Sequence, residues 1–150
     1  MKRFQYELET VLGYKTHVLD DLKSEHARIV HRVNLKQEEI NQLNHELLEY
    51  EDAFDEAKRM GASIESYRLM DMCIGKMEQT IDEEKERLQV LKKREEKKKA
   101  EVVEAKIDTS KYEKLKERKW HAYQKDEQKA EEAFVEEFVT RGYIRNKIRT

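Results

Sequence analysis

Apolar residues recur every three or four positions along most of the chain. A seven-residue frame laid on the first half puts Leu12, Leu19, His26, Val33, Ile40, Leu47 and Phe54 at a, and Leu8, Lys15, Leu22, Ile29, Lys36, Leu43, Tyr50 and Ala57 at d. Twelve of these fifteen positions are apolar, and the residues between them are mostly charged or amide-bearing. So narrow a stripe is the seam of a coiled coil, not the broad apolar face of a globular helix. An unbroken repeat of seven implies a left-handed supercoil.

The repeat stops once, at "KRMGASIESYR", residues 58 to 68. Gly61 supplies a left-handed or flexible backbone position, and Ser63 is placed to N-cap a new helix with Ser66 inside its first turn. Beyond the break the period resumes with Tyr67, Met70, Ile74, Met77, Ile81, Leu88, Leu91, Val102, Ala105 and Tyr112, interrupted by Glu84, Glu95 and Lys98. Two narrow seams joined by a short break predict an antiparallel hairpin, because each stripe needs a partner and the nearest is on the same chain.

The predicted class is all-α: a long two-helix antiparallel coiled coil with a protruding C-terminal helical extension, forming a single domain over residues 1–150. Helix 1 is expected over about residues 4–60, the turn at 61–63, helix 2 over about 64–140 and a tail at 141–150. Folding about residue 62 sets residue 8 near residue 116, and a paired length of about 55 residues gives a rod of about 80 Å. Past the pair, Tyr123, Ala130, Phe134 and Phe138 continue a helical stripe that nothing on the first helix is left to cover.

Composition narrows the reading further. Charged residues make up 43% of the chain and hydrophobic ones 37%, too little apolar surface for a compact core. The chain has no Pro and four Gly and is rich in Glu, Lys, Leu and Ala, which points to long helices rather than disorder. Residues 1 to 60 carry nine Lys or Arg against thirteen Asp or Glu, so that half is not basic, and the net charge of the whole is −2. Cys73 is the only cysteine, which excludes an intrachain disulfide and fits a reducing compartment. No apolar run is long enough to span a bilayer, and MKRFQYELET has no signal-peptide core, so a cytosolic protein with no direct membrane insertion is expected.

No catalytic set is visible. There is no Gly-rich phosphate loop, no His-Glu-x-x-His and no Cys pair, and the five His at 17, 26, 31, 45 and 121 lack metal spacing on one helix face. No catalytic residue, metal ligand or cofactor site is expected, and Cys73 reads as a small residue in a Met-rich seam. Contact surfaces are the better candidates. Tyr50, Phe54, Tyr67, Met70 and Met72 cluster near the fold-back, where a thin tip leaves large side chains partly exposed. In "LKKREEKKKAE", Lys92, Lys93, Lys97, Lys98 and Lys99 form a basic belt opposite Lys23, Arg28, Arg32 and Lys36, suited to an acidic partner and not neutralised across the hairpin. Nucleic acid is disfavoured there, since no aromatics interleave and Glu95 and Glu96 oppose phosphate. Phe4, Tyr6, Tyr123, Phe134 and Phe138 mark a third region at the chain ends.

The two ends carry a resemblance. "RFQYELETVLGYKTHVLDDLKSE", with Phe4, Tyr6, Leu8, Leu12 and Lys15, resembles the start of the bacterial flagellar export protein FliJ family. "KYEKLKERKWHAYQKDEQKAEEAF" resembles that family's C-terminal segment through Leu115, Glu117, Arg118, Tyr123, Glu127, Lys129, Glu131 and Glu132. The resemblance implies an antiparallel coiled coil similar to the central stalk of rotary ATPases, acting in the flagellar type III export apparatus. It implies as partners the export ATPase and its regulator, the export-gate membrane protein and export chaperones. The implied place is the cytoplasmic face of the cell membrane at the flagellar base. A prefoldin-like holding chaperone is the alternative from another class; it needs a β-hairpin, for which the residues around Gly61 have no alternating pattern. A generic scaffold dimer is the third reading.

Overall fold

The computed structural model describes residues 2–149, which form two helices, α1 (Glu9–Met60) and α2 (Ile64–Arg149). The helices pack against each other as an antiparallel hairpin. Their contacts group into two compact units: Asp20–Val103, and the residues up to Leu19 together with those from Glu104 onward.

The Asp20–Val103 unit contains the turn. Gly61 adopts φ 81°, and its N–H donates to the Ala57 carbonyl at 3.0 Å, the bond that closes a helix ending in a left-handed residue. Ser63 caps α2 as the sequence predicts: its Oγ accepts from the Ser66 N–H at 3.2 Å and lies 2.9 Å from the Ser66 hydroxyl. Tyr67 locks the turn. Its hydroxyl accepts from the Ala62 N–H at 2.9 Å, a donor the chain reversal leaves open, and donates at 3.1 Å to the Ala57 carbonyl, which thereby takes a second donor beside Gly61.

The seam of this unit runs through Ile40, Ile81 and Leu88, which are buried at 2%, 3% and 5% exposure. Its polar interruptions meet one another. Lys36 Nζ lies 2.7 Å from Glu84 Oε2, and His26 Nε2 lies 2.8 Å from Glu95 Oε1. These pairs specify the register, because a slip of one heptad sets Lys36 against Leu91 and Glu84 against Leu43, or, in the other direction, against Met77 and Ile29. Each slip strands a charge against an apolar side chain.

One predicted seam position fails. Tyr50 is 51% exposed, and Glu51 takes the half-buried place beside Phe54. The shift of one residue is the direction in which a helix of 3.6 residues per turn drifts against a repeat of 3.5. Cys73 is a second correction: it is exposed, and Met70, Ile74 and Met77 form the seam around it.

In the other unit, Leu12 and Leu19 are buried, and Lys15 Nζ meets Asp108 Oδ2 at 2.6 Å. Thr109, 3% exposed, donates from Oγ1 to the Ala105 carbonyl at 2.8 Å. Lys116 Nζ lies 2.7 Å from Glu9 Oε2, in the register predicted for residues near 8 and 116. Two boundaries differ from expectation. The first helix begins at Glu9, not near residue 4, and α2 continues to Arg149 where a tail from 141 was expected. Phe4 and Tyr6 reach α2 from a non-helical segment, Phe4 at Trp120 and Tyr6 at the Tyr112 carbonyl.

Candidate functional site

The tip residues divide. Phe54, Tyr67 and Met70 are half-buried, with the Phe54 and Tyr67 rings edge to face at 6.2 Å and Lys58 Nζ 4.0 Å from the Phe54 centroid. Tyr67 is committed to the turn through its hydroxyl. Tyr50 and Met72 face outward at 51% and 67% exposure. They are joined by residues the periodicity had not marked: Met60 at 80%, Ile64 at 70% and Leu69 at 61%. These lie off the seven-residue frame, so a reading that looked only for the seam passed over them. The usable signal is the reverse one, large apolar residues outside the seam near a break.

The basic run also divides. Lys92, Lys93, Lys97 and Lys99 are exposed. Lys98 is not part of an open belt: its ammonium sits 2.9 Å from both Glu25 and Glu101, and its side chain is 22% exposed. Hydrogen bonds to Glu101 and then Glu25 hold the Lys98 ammonium above the ordinary lysine pKa, while Lys98 holds the Glu101 carboxyl below its ordinary value. Through Glu25 on Lys98 the hairpin partly neutralises this stretch, contrary to the expectation that it would not. Lys92 and Lys99, seven apart, share one flank of α2, and Lys93 and Lys97 share another.

At the chain ends, Phe4 and Tyr123 come together as part of an aromatic cluster. The Phe4 ring is 5.0 Å from Trp120 and 5.5 Å from Tyr123, and Trp120 stacks on Tyr123 at 5.7 Å and 19°. The Tyr123 hydroxyl donates to the Lys2 carbonyl at 2.8 Å. Tyr6 is buried at 7%, its hydroxyl donating to the Tyr112 carbonyl at 3.0 Å and Lys119 Nζ lying 5.9 Å from its ring. Trp120, 40% exposed, is the member the sequence reading did not single out; its position three residues before Tyr123 on one helix is the signal. Phe134 and Phe138 lie outside this cluster, each 70% exposed. Beyond Tyr123, every described residue except Glu127 and Gly142 is exposed.

These surfaces carry exposed aromatic, soft apolar and basic side chains on helices. Among the described residues no group of three or more His, Cys, Asp or Glu is placed to hold a metal, and no helix is long and apolar enough to cross a membrane. A family model described as flagellar FliJ protein matches residues 4–147, nearly the whole chain. No curated protein and no solved structure matches it.

Proposed function

Because the chain belongs to the FliJ family, a non-catalytic structural component of the flagellar export apparatus, we propose that it couples the export ATPase and its regulator to the membrane export gate, and escorts export chaperones. In this reading it works at the cytoplasmic face of the membrane at the flagellar base, held there by its partners. The observation that supports coupling is the presence of two separate sets of exposed apolar side chains: Tyr50, Met60, Ile64 and Met72 around the turn, and Phe134 and Phe138 on the last part of α2. The seam of a two-helix hairpin needs none of them, and exposed aromatic and Met side chains are the usual anchors of protein contacts. The exposed Lys92, Lys93, Lys97 and Lys99 steer an acidic partner surface, while Lys98 belongs to the hairpin.

The test is binding of the purified export ATPase and of the cytoplasmic part of the export gate to two double variants, Tyr50→Ser with Met72→Ser and Phe134→Ser with Phe138→Ser. Each double variant is expected to lose one partner at least about tenfold and keep the other. If both keep both partners, the two-surface coupling is wrong. A third variant, Lys92, Lys97 and Lys99 changed to Glu with Lys98 left in place, slows association without loss of helicity if the belt steers docking. The prefoldin-like alternative gains nothing from the fold, since the described residues form two helices and no strand.

A further inference from the structure

The stretch of α2 from Glu127 to Arg149 presents a face that, among the described residues, no other part of the chain covers. On a helix of 3.6 residues per turn, Phe134 and Phe138 share this face with Glu127 and Glu131 on the amino side and with Gly142, Arg145 and Arg149 on the carboxyl side. Both phenylalanines are 70% exposed, and a Cβ on Gly142 would meet open space beyond its own stretch of helix backbone and its chain neighbours. None of Glu127, Glu131, Arg145 and Arg149 has an ion pair among the described residues, whereas Arg141, on the flank, is tied to Glu137 at 2.7 Å.

The face is arranged about Phe138. Phe134 and Gly142 lie four residues to either side of it, Glu131 and Arg145 seven, Glu127 and Arg149 eleven. An antiparallel copy of the same helix, crossing at Phe138, therefore sets each Glu131 against an Arg145, each Glu127 against an Arg149, and each Phe134 ring over the notch at Gly142. A parallel copy sets carboxylate on carboxylate and guanidinium on guanidinium. Glu127 with Glu131 and Arg145 with Arg149 are also like charges four apart on one helix, an unfavourable arrangement alone that counter-charges from a second copy relieve. The pattern is that of an isologous contact, in which one patch is complementary to itself.

We propose that residues 127–149 of α2 pair antiparallel with the same segment of a second copy of this chain, with Phe138 on the two-fold axis. This goes beyond the export reading: it concerns the chain alone, and pairing covers Phe134 and Phe138 until another partner displaces it. A contact of two single helices this short is small, so a dissociation constant on the order of tens of micromolar is expected.

Sedimentation equilibrium of the full chain at low salt, from about 1 µM to several hundred micromolar, tests the pairing without any export partner. The mass should rise from monomer to dimer. Glu131→Lys alone and Arg145→Glu alone should each weaken the dimer at least about tenfold, and the two together should restore it to within about threefold of the parent. Phe138→Asp should stay monomeric with unchanged helix content by circular dichroism. A parent chain that is monomeric throughout overturns the proposal. So does a double charge variant no better than the single ones, since only antiparallel pairing brings residue 131 of one copy to residue 145 of the other.

Discussion

Residues 20–103 and residues 124–149 have similar composition and the same secondary structure, yet their side chains lead different lives. In the first region the polar seam residues Lys36, His26, Glu84, Glu95 and Lys98 each meet a polar partner within 3 Å on the facing helix. Apolar residues between them reach 2% exposure at Ile40. In the second region Phe134, Val135, Phe138, Val139 and Tyr143 are all more than half exposed. The lesson is that helix formation and burial are separate achievements. Propensity and capping carry α2 to Arg149, but a stripe becomes a core only where another helix faces it.

The largest effect that sharpens this contrast is a truncation made once in each region. Ile40→Ala should cost about 2–4 kcal/mol in urea unfolding, while Phe138→Ala, measured at a concentration where the chain is monomeric, should change stability by less than about 0.5 kcal/mol. Equal effects would mean that the last part of α2 is packed after all.

Acid and alkali should act on the paired seam. Lys36 holds the Glu84 carboxyl below its ordinary pKa, and Lys98 does the same to Glu101. Their contribution is therefore present above the unfolded carboxylate value of about 4.3 and is lost as pH falls through the lower folded value. Asp108 raises Lys15, and Glu84 and Glu39 raise Lys36, so their contribution holds below about 10.4 and is lost as pH rises through the higher folded values. The melting temperature should form a plateau that falls at both ends, and Glu84→Gln should flatten part of the acid limb. An identical acid limb in that variant would show that the Lys36–Glu84 layer specifies register without stabilising.

A loss smaller than that at Ile40 is expected at the turn. Ser63→Ala removes the acceptor of the Ser66 N–H and should cost about 1 kcal/mol, seen as faster amide exchange in the first turn of α2. No change there would shift the capping role to the Tyr67 hydroxyl.

Much of this architecture is legible in the chain itself. The seven-residue frame marks α1 from Leu12 to Leu47 and most of the seam of α2, and Gly61 with Ser63 marks the reversal, because period and capping are local properties. The family follows from the two ends together with the match over residues 4–147. The candidate contact surfaces were less legible. Exposure at Tyr50 depends on where the seam drifts over several turns, and the outward Met60, Ile64 and Leu69 are invisible to a frame that seeks only the inward face.

The sequence by itself determined two helices, their hairpin, the place of the turn and the uncovered stripe at Phe134 and Phe138, since each rests on residue type and spacing within one segment. Only the tertiary structure decided which charges meet across the hairpin, that Lys98 is bound to Glu25 and Glu101 instead of open to a partner, and that Phe4 leaves the helix to join Trp120 and Tyr123. Those outcomes depend on residues far apart in the chain, and the energies that select among them arise only when the two helices face each other.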